Sequence, residues 1–149
     1  MTVGAKQLKL RTTDLRTLQA RKKVYLASPY SHSNPAIRED RYQRVSKVAG
    51  ELIEFYSGKK AIFCPIAHTV SIAAYSDLDD LDWEEFMDQD LVWLSTCDEL
   101  YVLQLKGWEK SKGVRAEIKF AERLNIPITY FNEQLIFCNS KGVELVRKR

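Results

Sequence analysis

Glu99-Leu-Tyr-Val-Leu-Gln-Leu105, Lys106-Gly-Trp-Glu-Lys110 and Ser111-Lys-Gly-Val-Arg-Ala-Glu117 follow one another without a break. The first segment is apolar and rich in branched and aromatic residues, which predicts a buried strand. The second has turn character around Gly107. The third opens a helix that runs to about Leu124, with Ser111 at the N-cap and Gly113 where backbone can approach a ligand. Strand, loop and helix in that order are the unit of an open parallel sheet. Ligands of such sheets gather at strand carboxyl ends and helix N-termini.

Glu117 breaks the pattern of its own helix. At about 100° per residue from Val114, Ala121 falls at about −20°, Ile118 at about +40° and Leu124 at about −80°. Glu117 falls at about −60°, inside that apolar arc, while Arg115, Lys119, Glu122 and Arg123 take the other side. A carboxylate aimed inward is costly unless paired, and perturbed carboxylates gather at functional sites. The plain structural alternative is a Glu paired with a buried Arg or reaching water at the edge of the stripe.

Asp90 repeats the anomaly. On the helix expected from Trp83 to Ser95, Phe86 falls at about −60°, Met87 at about +40° and Leu94 at about +20° from Trp83. Asp90 falls at about −20°, in the middle of that face. A buried Asp can cap a neighbouring loop. Two inward acids on two helices beside strand ends also supply the pair that glycosidic cleavage needs.

The rest of the chain alternates strands with helices. Lys23–Ser28 reads as a buried first strand, followed by the hydroxyl-rich Pro29-Tyr-Ser-His-Ser-Asn-Pro35. Asn34-Pro35 starts a helix that runs to about Tyr56 and stops at Gly58. Lys60–Cys64 is a second strand. Pro65-Ile-Ala-His68 leaves it as a loop, with a short helix over Val70–Tyr75. Ser76–Asp82 is an acidic loop, and Asp82 can cap the next helix. Pro127–Phe131 is a fourth strand. Leu135–Cys138 and Gly142–Val146 form either a hairpin or an edge pairing. This predicts an α/β fold with a mostly parallel sheet of about five strands.

The chain has 149 residues, enough for one domain with a real core. Its net charge of +3 is uneven. Residues 1–23 hold seven basic residues and one acid, residues 141–149 four and one, and the middle carries −6. A basic arm or short helix over 1–22, with a possible turn of helix from Asp14 to Ala20, therefore precedes a domain over 23–149. Basic ends can touch nucleic acid, but the acidic body argues against a whole-domain nucleic-acid footprint. No apolar run approaches the ~20 residues of a membrane span. The three separated cysteines, with no C-x-x-C, favour reduced thiols and a cytoplasmic setting over disulfides or zinc. His32 and His68 have no second ligand nearby in sequence, so no metal is expected, and no cofactor motif occurs. His68 is a candidate substrate contact. Trp108 can stack on a base or pack its loop down.

These motifs resemble a known family. Tyr25-Leu-Ala-Ser-Pro-Tyr30, the Asp90-Leu91 helix and Ser111-x-Gly-Val-x-x-Glu117 occur in the order seen in the nucleoside 2-deoxyribosyltransferase superfamily. Ser-x-Gly-Val-x-x-Glu is closest to the deoxynucleoside 5′-monophosphate N-hydrolases; the transferases tend to carry an acid where Ser111 stands. With Cys64-Pro-Ile-Ala-His68, the chain resembles a bacterial and phage branch of that superfamily over about residues 23–131. The resemblance implies a flavodoxin-like, three-layer sandwich. It implies Glu117 as the nucleophile, Tyr25 as the residue that positions it and Asp90 as the acid at the base. Ser111 would contact a 5′-phosphate, and Ser28, Tyr30 and Gly113 are further candidate substrate contacts. A homodimer or larger assembly is implied as well, and the apolar run Leu135-Ile-Phe137 is a candidate contact. Arg115 and Ala116 depart from the usual pair before the Glu, and Pro29-Tyr30 departs from the hydrolase loop. The expected activity is hydrolysis of a nucleoside monophosphate to base and sugar phosphate. Its rivals are sugar transfer to a second base and nucleotide binding without turnover.

Overall fold

Lys22–Ala27 forms the strand around which the sheet is built (β1), and its side chains alternate between two buried faces. The computed structural model describes residues 15–77 and 83–145. In chain order the other elements are α1 (Leu15–Gln19), α2 (Pro35–Tyr56), β2 (Lys60–Phe63), α3 (Pro65–Ala73), α4 (Trp83–Ser95), β3 (Glu99–Leu103), a 3-10 turn over Trp108–Lys110, α5 (Lys112–Arg123), β4 (Ile128–Phe131) and β5 (Phe137–Cys138). The sheet order is β2-β1-β3-β4-β5. The first four strands pair in parallel and β5 runs antiparallel on the edge. This is the flavodoxin-like strand order.

Both faces of the sheet are covered. Val24, Leu26, Tyr101 and Leu103 meet Val45, Val48, Ala49 and Leu52 of α2, with Ile66 and Ala67 of α3 alongside. Tyr25, Ala27, Leu100 and Val102 meet Leu94 of α4 and Val114 and Ala121 of α5. Parallel strands buried on both faces need apolar side chains in both parities, which is why β1 and β3 read as continuous apolar runs. β1 leads into α2 on one face and β3 leads into α5 on the other. The two chain paths part at the carboxyl ends of β1 and β3 and leave a crevice there.

Several boundaries differ from the sequence reading. α3 begins at Pro65, so His68 and Thr69 lie on a helix and not in a loop. Cys64 is extended and Pro65 takes the first helical position, where its ring fixes φ and no amide is missed. That helix ends at Ala73, short of Tyr75. β3 stops at Leu103 because the Leu105 amide turns back to the Leu103 carbonyl at 3.0 Å. The C-terminal segment does both: it turns back on itself as a small hairpin, with the Leu145 amide on the Phe137 carbonyl at 2.8 Å, and it also pairs at the sheet edge. Two residues of β5 join β4, and Glu144 bridges Cys138. α2 keeps its expected span, with the Asn34 side chain accepting from the Ala36 amide, and Ser57 and Gly58 at positive φ ending it. The arm over 1–14, the centre of the acidic loop with its cap Asp82, and Val146 lie outside the described residues.

Candidate active site

Four segments converge on the crevice. The loop after β1 contributes Ser28, Tyr30, Ser31, His32 and Ser33. α3 contributes a wall of Pro65, Ile66, Thr69, Val70 and Ala73, and α4 adds Phe86, Met87 and Asp90. The start of α5 supplies Lys110, Ser111, Lys112, Gly113 and Glu117. Together they enclose a cavity of about 590 Å³. Its lining combines two carboxyl groups, an apolar wall from α3 and α4, and a rim of hydroxyls and amines.

Glu117 is only 5% exposed, as its helical phase requires, because Val114 and Ala121 on the same arc are core residues of the α4–α5 layer. Burial pushes its pKa up to about 8, and the charge of Asp90 adds to that rise. The Tyr25 hydroxyl acts in the opposite sense and favours the ionised carboxylate. Tyr25 itself is fully buried on β1, an interior strand, does not line the cavity, and has its own pKa raised well above 10 by burial and by both carboxylates. The Tyr25 hydroxyl acts on the Glu117 carboxyl, yet neither Tyr25 Oη nor Glu117 Oε2 completes a hydrogen bond. Apo active sites often hold such pairs loosely. Asp90, half-buried on α4, is pushed up to about 7 by burial, and its Oδ1 has no hydrogen-bond partner.

Ser111 caps α5: its backbone is extended and its Oγ accepts from the Val114 amide at 3.3 Å. Lys110 and Lys112 flank it and line the same rim. A hydroxyl, two amines and free amide groups at a helix start together suit an anion. Arg41 of α2 holds the two site loops at a fixed separation. Its guanidinium donates to the Ser31 carbonyl at 2.9 Å and to the Tyr30 and Lys106 carbonyls at 3.3 Å. Gly107 sits at φ +89°, and a Cβ there would lie 2.8 Å from the same guanidinium, so this turn requires glycine.

Ser28, Tyr30, Ser111 and Gly113 all line the cavity with Asp90 and Glu117. Trp108 and His68 do not. Trp108 packs against Tyr130 at 5.9 Å between ring centroids, and His68 is exposed, 5.6 Å from the Phe63 ring. Beside Ser31 and Ser33, the sequence reading passed over four polar lining residues. Lys110 and Lys112 adjoin Ser111. His32 was weighed only as a metal ligand. Its Nδ1 accepts from the Asn34 amide at 2.9 Å, and its carbonyl takes the Arg38 guanidinium at 2.6 Å. Thr69 is the fourth, and starting α3 at Pro65 would have placed it on the inward stripe. Among the described residues no group of three or more His, Cys, Asp or Glu is arranged to hold a metal ion. No described helix is long and apolar enough to cross a membrane.

The architecture has a solved relative. A 2-deoxyribosyltransferase from the psychrotolerant bacterium Bacillus psychrosaccharolyticus superposes with a TM-score of 0.55 over 85% of this chain and 86% of that one, at 17% identity, so the two share a fold. Among curated proteins none matches the sequence. Residues 22–133, well over half of the chain, match the family described as Domain of unknown function (DUF1937), and the chain belongs to that family.

Proposed function

We propose that the protein is an N-glycosidase that hydrolyses the base–sugar bond of a nucleoside 5′-monophosphate through a covalent glycosyl-Glu117 intermediate. One observation carries the reading. A carboxyl group buried among apolar side chains faces the same cavity as a second raised carboxyl, and the rim of that cavity is built for an anion. In this reading Ser111, Gly113, Lys110 and Lys112 take the phosphate, with Ser28 and Tyr30 on the sugar side. Glu117 attacks the anomeric carbon as the bond to the base nitrogen breaks, and protonated Asp90 gives its proton to the departing base. Water then adds to the same carbon, loses a proton to Asp90 and releases Glu117 as a carboxylate. The oxocarbenium-like transition state is stabilised by a carboxylate that water does not screen. Tyr25 favours the ionised form of that carboxylate and orients it. No cofactor enters this scheme.

Transfer to a second base is the alternative that the fold relative's own name brings in. It differs only in which nucleophile meets the glycosyl ester. A homo-oligomer in the cytoplasm accompanies the proposal; Ile136 and Phe137 are exposed apolar residues that a second copy can cover. Incubation with a panel of nucleosides and nucleoside monophosphates, followed by chromatography, tests the reading. Free base appears from at least one monophosphate, and a second base added to the mixture gives no new nucleotide. Release from none of them overturns it, and a new nucleotide replaces hydrolysis with transfer.

A further inference from the structure

Thr69 is 9% exposed, lines the cavity, and its Oγ1 is buried without a hydrogen-bond partner. A threonine inside a helix ordinarily satisfies its hydroxyl on the carbonyl one turn back. Ser71, two residues on, does this with Ala67 at 3.1 Å. Thr69 does not. It belongs to the stripe Pro65, Thr69, Ala73, which the helical repeat turns to the cavity. The flanking residues of that wall, Ile66 and Val70, are apolar, as are Phe86 and Met87 on α4. A buried hydroxyl without a protein partner costs stability unless a ligand or water bonds to it.

On the glycosidase reading, the phosphate lies at the start of α5 and the anomeric carbon at Glu117. The base then lies against the α3–α4 wall. We infer that Thr69 is a specificity-determining residue that hydrogen-bonds an edge group of the base and thereby sets which base is released. This rests on that reading. A hydroxyl both donates and accepts, so it suits an exocyclic oxygen or amine alike. A site built to bond an edge group rejects the analogue that lacks it far more strongly than an apolar pocket rejects a change of size.

The test uses the full chain with 5′-monophosphates of adenine, hypoxanthine, cytosine and uracil, and with the edge-deleted purine and 2-pyrimidinone counterparts. The native protein should favour one base over its edge-deleted counterpart by about tenfold or more. Thr69→Val keeps the shape and removes the hydroxyl. It should lower kcat/KM for the preferred base by about 10- to 100-fold, leave the edge-deleted substrate within about threefold, and keep or raise the melting temperature. Thr69→Ser should retain most of the preference. Equal losses on both substrates, or an undiminished preference in Thr69→Val, overturn the inference while the glycosidase reading stands. A native protein that cleaves none of the probes overturns both.

Discussion

The Tyr25 hydroxyl, fully buried on β1, is the one group among the described residues that lowers the pKa of Glu117 against the burial and the Asp90 charge that raise it. The phenol does not line the cavity that Glu117 lines. Tyr25→Phe removes this one favourable partner and little volume. The expected result is a 10- to 100-fold fall in kcat, with the acid limb of the pH–rate profile moved to higher pH because Glu117 ionises less readily. Unchanged kcat with an unmoved limb would show that Tyr25 only fills the core.

Ser111 serves the fold as well as the proposed phosphate, and two substitutions separate the roles. Ser111→Ala loses the cap on the Val114 amide, at about 1 kcal/mol of stability. KM for the nucleotide should rise more than kcat falls, and any turnover of the unphosphorylated nucleoside should stay constant. Ser111→Asp restores the cap but places a negative charge at the rim. Stability should recover while nucleotide KM worsens further. If KM tracks melting temperature across both variants, the rim does not hold a phosphate.

Helical phase made much of this site legible. The positions of Glu117 and Asp90 on otherwise apolar arcs follow from about 100° per residue alone, and strand–helix alternation carries the sheet. Three features were not readable that way. The start of α3 was hidden because Pro65 follows a strand directly, and the proline read as an exit loop. Thr69 was lost with it. Trp108 offered no periodicity, since it stands in a single 3-10 turn, and its packing on Tyr130 depends on β4, distant in sequence. Arg41 looked like any exposed helix cation. Its role depends on three backbone carbonyls in two loops, and no spacing rule shows that.

The two raised carboxyls predict an unusual pH dependence. Catalysis needs Glu117 ionised and Asp90 protonated, while the pair titrates near 7 and 8 instead of near 4. A bell-shaped profile of kcat/KM with both limbs close to neutrality is expected, its apparent values belonging to the pair. Asp90→Asn cannot supply a proton. The alkaline limb should vanish and kcat should fall by about 10²–10⁴-fold, with a folded protein. A substrate whose leaving group departs without protonation should lose much less. If that activated substrate suffers as severely as the natural one, Asp90 does not protonate the base.

Glu117 itself ties activity to stability with opposite signs. Its folded pKa, about 8, stands above the 4.5 of an exposed glutamate. The native protein therefore holds a proton that the unfolded chain releases. The resulting stability is fully present below pH 4.5 and is lost as pH rises through about 8. The gap corresponds to at most about 5 kcal/mol across that window. Glu117→Gln copies the protonated form at every pH. At pH 4 the variant and the native protein should melt together. At pH 8.5 the variant should melt higher, by up to about 10–20 °C. Its base release should fall about 10³-fold or more at both pH values, because an amide is a poor nucleophile at an anomeric carbon. A glutamate kept for a buried ion pair would behave in reverse. Its removal would strand a cation and cost ~3–5 kcal/mol at neutral pH. Melting curves at the two pH values, read beside a base-release assay, therefore decide the matter. A variant destabilised at pH 8.5, or one that still releases base at the native rate, refutes Glu117 as the nucleophile.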